Sequence, residues 1–97
     1  MENLEISGII SEGGRSQAVS ISSTSAQSTA LTDNDSAIVT VTTPCFVRGG
    51  TNPTALSDGT DLYLLADVAY RLRFQKGWKL AFKTSGTTGT AYISPGA

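Results

Sequence analysis

Histidine is absent from this chain, cysteine occurs once, and no long stretch is continuously apolar. Each gap removes a class of protein. A lone thiol, Cys45, cannot close an intrachain disulfide, so the chain is not a small secreted scaffold held by cross-links. Without histidine, a zinc site would need one thiolate plus carboxylates, and no serine or cysteine has its usual activating base. No window nears the roughly 20 apolar residues that span a bilayer. The first residues lack the basic segment and apolar run of a secretory signal. A soluble protein made in a cytoplasm is expected. The formal net charge is −1, which withholds the long-range attraction that nucleic-acid binders normally carry.

Small hydroxyl residues are what the chain has in abundance: 12 serines and 13 threonines, with 10 glycines, among 97 residues. Such a composition suits tight β packing and close subunit contact. A chain this short buries only about 60–70% of its unfolded surface, so association is a reasonable expectation. Helix signals are nearly missing. Apolar residues recur at spacing two, with breakers every 8–12 residues or so, the pattern of an all-β sandwich or barrel. The expected fold is a compact antiparallel β-sandwich, jelly-roll or Ig-like, of about seven or eight short strands.

Residues 1–16 stand apart as an N-terminal arm or a first hairpin, with the sandwich domain at 17–97. As an arm, the segment would present Leu4, Ile6 and Ile10 to a neighbouring sheet edge. Beyond it, Val19 and Ile21 share one face, and Ala26–Thr32 is a weaker strand ending at an Asp33-Asn34-Asp35 turn. Val39, Val41 and Thr43 point inward, with Ile38, Thr40 and Thr42 on the other side. Pro44 lacks an N–H for a ladder and marks an edge or bulge before Cys45. Residues 49–60 form a long loop, residues 62–66 a short strand, and Thr90–Ser94 the last strand, reached through a Ser85-Gly86-Thr87-Thr88-Gly89 turn.

Residues 70–84, YRLRFQKGWKLAFKT, hold five of the seven basic residues, interleaved with aromatics. The spacing predicts a hairpin turning at Gln75-Lys76-Gly77. Tyr70, Leu72, Phe74, Trp78, Leu80, Phe82 and Thr84 face the core; Arg71, Arg73, Lys79, Ala81 and Lys83 face out. A single-stranded nucleic-acid platform needs rings and cations on one face, so nucleic acid is not an expected partner. The outward cations Arg71, Arg73, Lys79 and Lys83 are instead expected to form a contact face. An acidic partner surface, such as another copy's Asp33, Asp35, Asp58, Asp61 or Asp67, would suit it.

No constellation of residues announces chemistry. Asp33-Asn34-Asp35-Ser36 lacks the glycine and bidentate glutamate of a calcium loop. Asp58-Gly59-Thr60-Asp61 is turn chemistry. Arg48-Gly49-Gly50 is not a phosphate loop, since Gly-x-x-x-x-Gly-Lys is missing. Cys45 reads as a buried inert thiol. No catalytic residue, metal or cofactor is expected.

Three stretches carry a family resemblance: SISSTSAQSTALT (20–32), VTTPCFVRGGTNPTA (41–55) and GTAYIS (89–94). Together they resemble small virion proteins of tailed bacteriophages, over most of residues 18–95. The resemblance implies a capsid decoration, or cement, protein: a non-enzymatic compact β-sandwich that binds the major capsid protein and stabilises the head shell. It further implies a homo-oligomer, with a trimer as one form, assembled in the host cytoplasm and residing in the virion. Two alternatives stand beside it. One is a host-surface glycan-binding module of a fibre or spike, with Tyr63, Tyr92 and Phe46 as candidate rings. The other is an adaptor in the head–tail connector.

Overall fold

A computed structural model of the chain describes residues 16–32 and 35–95. The expected arm, with Leu4, Ile6 and Ile10, lies outside the described residues, as does Asp33. Eight strands follow in order: β1 (Gln17–Ile21), β2 (Ala26–Gln27), β3 (Ser36–Val41), β4 (Cys45–Gly50), β5 (Leu62–Leu64), β6 (Tyr70–Arg73), β7 (Lys79–Lys83) and β8 (Gly89–Pro95). They form two antiparallel four-stranded sheets, ordered β1-β8-β3-β6 and β2-β7-β4-β5. Among the described residues there is no helix.

The pairing is nested. β4 pairs with β5, β3 with β6, β2 with β7 and β1 with β8. A single long hairpin rolled over on itself has this order. Its winding adds the contacts β3–β8 and β4–β7 that complete each sheet.

Period-two patterning builds the core between the sheets. Val19 and Ile21, Ala37, Val39 and Val41, and Ala91 and Ile93 come from the first sheet; Cys45, Val47, Leu64, Leu80 and Phe82 come from the second. Phe82, Ile21, Leu64 and Ile93 are the largest fully buried side chains. Each contributes roughly 1.5–3 kcal/mol through removal from water.

Residues 70–84 do not make the expected hairpin. β6 and β7 belong to different sheets, so the segment is a corner at which the chain crosses the sandwich. The turn itself forms: Gly77 takes a φ of 90° and the Trp78 N–H donates to the Gln75 carbonyl at 3.1 Å. Its two arms then find different partners. Phe74 N–H donates to Asp35 O, whereas Gly77 N–H donates to Leu31 O and Leu31 N–H to Trp78 O. The expected strand at 26–32 is correspondingly short. Its regular ladder stops at Gln27, and Ser28 continues the pairing with its side chain, whose Oγ accepts the Leu80 N–H at 3.0 Å.

The long loop, residues 51–61, folds back over the outer face of the second sheet. Gln27 Nε2 donates to Asn52 Oδ1 and Pro53 O, and Ala55 N–H donates to Ser25 Oγ. Pro53 and Ala55 are buried there, and so is Ala81, although its side chain points away from the core.

Candidate interaction surface

Four strands are sheet edges: β1 and β6 in the first sheet, β2 and β5 in the second. β1 packs across the sandwich against β2 and β7, so the opposite edges, β5 and β6, share one flank. Three edges are blunted. β6 carries Arg71 and Arg73, β2 is two residues long, and the Gln17 side chain of β1 reaches across to accept the Thr29 N–H. Charged side chains and short strands are the usual protection against edge pairing. β5 has neither a charge nor a proline within it, and its outward backbone groups lack a strand partner among the described residues.

Apolar side chains gather at that edge. Leu62, Tyr63, Leu65 and Val68 are all exposed, Leu62 by 55% and Leu65 by 54%, whereas the exposed Leu56 lies beside Ser23, Gln27 and Lys83. Across the flank, Tyr70, Leu72 and Phe74 of the β6 segment are half-buried against the core. The Tyr70 hydroxyl accepts the Leu65 N–H at 3.0 Å, fixing the crossing from β5 to β6. Asp67 in that crossing adopts a φ of 61°, a left-handed conformation uncommon outside glycine, and its N–H is held by Val41 O at 2.8 Å.

Charged residues border this flank. Asp58 and Asp61 precede β5, and Asp67 follows it. Asp61 is committed internally: its carboxylate takes the Arg48 Nε at 2.6 Å and the Leu56 N–H at 2.7 Å. Asp58 and Asp67 are exposed. The Thr60 hydroxyl and N–H bonded to Asp58 hold its carboxyl below the ordinary range. Arg71 and Arg73 are exposed on the outer face of the first sheet, with no acidic partner among the described residues.

The four cations expected to share one contact face are therefore split. Arg71 and Arg73 project from the first sheet, Lys79 and Lys83 from the far side of the second. The candidate rings are split as well. Phe46 and Tyr63 pack as a tilted pair, ring centroids 4.9 Å apart, on the outer face of the second sheet, whereas Tyr92 projects from the centre of the first, between Ala18 and Thr40. An open depression of about 370 Å³ lies beside the loop, lined by Ser23, Ser25, Gln27, Thr54 and Lys83 among others.

Cys45 is fully buried, and burial pushes its thiol up to about 11. Among the described residues, no group of three or more His, Cys, Asp or Glu could hold a metal ion. Compared with protein-family models, curated proteins and solved structures, the chain matches none.

The apolar flank was not among the expected sites. Its signal is present in Leu62-Tyr63-Leu64-Leu65, an apolar run without alternation. A three-residue strand can bury only every second side chain, so such a run leaves an apolar excess outside.

Proposed function

We propose that the chain is a non-enzymatic structural subunit of a tailed-bacteriophage particle, a decoration protein that seats on the head shell after assembly in the host cytoplasm. One observation carries the reading: most of the exposed large apolar side chains are concentrated beside one edge strand, β5. An apolar patch of that kind on a small protein marks a surface made to be covered by another protein. The three stretches resembling phage virion proteins point to the particle concerned. We read the nested pairing as a jelly-roll, an architecture used in viral capsid and lectin domains. Fold alone does not assign a function, so the flank and the resemblance bear the weight.

The test is binding to shells. Purified chain added to tailed-phage head shells that lack it should co-sediment in many copies per particle and raise the temperature at which shells rupture. Stoichiometric binding only at the portal vertex would move the protein to the connector. No association with any shell would end the reading.

A glycan-binding role has one observation in its favour. Tyr92, 51% exposed, stands between the small residues Ala18 and Thr40 of the first sheet, a setting that leaves its ring accessible to a sugar. Tyr92→Ala abolishing cell adsorption while leaving shell binding intact would transfer the function there.

A further inference from the structure

The geometry points to a saccharide site on the outer face of the second sheet, taking an oligosaccharide that carries carboxylate groups. It lies on the opposite sheet from Tyr92 and does not depend on the shell reading.

Three features meet there. The first is the open depression of about 370 Å³ between the residues leading into β2 and the loop at 51–61, a volume within the range of small-ligand sites. Its walls offer hydroxyls. Ser23, Thr24 and Thr54 make no side-chain hydrogen bond among the described residues, and the exposed Leu56 adds an apolar patch beside them. The second feature is Lys83, a half-buried cation that lines the depression and has no acidic partner among the described residues. No carboxylate lines the depression. Asp61 bonds the Leu56 N–H, but Arg48 takes its charge.

The third feature is the ring pair. Phe46 stands opposite Lys83 on one side and Tyr63 on the other, so the three form one cross-strand row on the outer face. In the order β2-β7-β4-β5, Lys83 therefore stands between the depression and the rings. With strands about 4.8 Å apart, Tyr63 lies roughly 10 Å from Lys83.

That order selects the ligand. A sugar unit in the depression exchanges hydrogen bonds with the free hydroxyls, which both donate and accept. A carboxylate at the next position meets the Lys83 ammonium in a charge-assisted hydrogen bond. The following units run over Phe46 and Tyr63, whose tilted rings present an apolar surface to the C–H face of a sugar. A cation would meet Lys83 and no anion. An acidic peptide would use the lysine and leave the hydroxyls unmatched.

Titration of the isotope-labelled full chain, followed by amide NMR, tests this. The acidic probes are tetragalacturonate and sialyllactose; their neutral counterparts are methyl-esterified tetragalacturonate and lactose. At least one acidic probe should shift the amides of residues 23–25, 54–56 and 83 saturably. It should bind about tenfold or more tighter than its neutral counterpart. Lys83→Gln should remove that preference, and Tyr63→Ala should weaken both forms several-fold. Tyr92→Ala, on the other sheet, should bind like wild type. The wild-type map needs no variant, so a Tyr63→Ala chain that failed to fold would leave the test standing.

An absence of saturable shifts with either acidic probe overturns the proposal. So does a preference for the acid that survives in folded Lys83→Gln. Tetraglutamate binding as tightly as tetragalacturonate would make this a contact for acidic peptides instead, and shifts gathered around Tyr92 would put the sugar on the first sheet; both results reject the site. A chain that coats shells but binds no acidic sugar refutes this site alone. One that binds the sugar and ignores shells refutes the particle reading alone.

Discussion

Small substitutions probe how tightly the sandwich is fitted. A Cβ built at Gly89 meets Thr42 Oγ1 at 2.6 Å and Thr43 Cβ at 2.9 Å, where β8 passes the end of β3. Gly89→Ala should therefore lower stability by about 1–3 kcal/mol. Gly86→Ala, which meets open space at an ordinary φ, should be neutral or slightly stabilising; paired thermal melts separate the two. Ser28 Oγ accepts the buried Leu80 N–H and donates to Thr29 O. Ser28→Ala leaves that amide unsatisfied and should cost about 1–3 kcal/mol in a urea titration. Cys45 gives a pH signature. Between the ordinary thiol value of 9.0 and about 11 the folded chain keeps a proton that the unfolded chain loses, so stability falls as pH rises through that window. The urea midpoint of wild type should drop there relative to Cys45→Ala, and a coincident pair of curves would remove burial as the cause.

Among the elements, the loop at 51–61 depends on one side chain. Asp61 ties Arg48 of β4 to the Leu56 backbone, and the loop so fixed covers Ala81. Asp61→Ala should cost about 1–3 kcal/mol and make residues 51–60 the first site of proteolytic nicking, while β7 stays protected in hydrogen exchange. That loop was legible only as a loop. Its glycines and proline announced irregular backbone, but nothing nearby in sequence said that Asp61 would reach back to Arg48. The strands were legible where period two is strong: Val39 and Val41 inward with Ile38 and Thr40 outward, and the isolated β8. The partner of each strand was not. Gln75-Lys76-Gly77 has the chemistry of a hairpin turn and forms one, yet Leu31 rather than the preceding strand captures the Gly77 N–H. Local turn preference cannot see a competitor more than forty residues away. The contact surface was misplaced for the same reason. Treating residues 70–84 as one ribbon put Arg71 and Lys79 on a common face, and separating the sheets divides them.

The whole molecule is organised by long-range pairing, and its folding should reflect that. Rolled sandwiches close large loops before those contacts stabilise the chain, which places folding in the millisecond-to-second range. β8 is the central case, since it lies between β1 and β3 and buries Ala91 and Ile93. A chain ended at Thr88 should show no cooperative thermal transition; a sharp melt would mean that seven strands suffice. The pairing of Gln17 with Ile93 also times production. The first strand cannot complete its ladder until residues 89–95 have been made. A polypeptide grown only as far as Thr88 therefore leaves β1 and β3 without the strand that joins them.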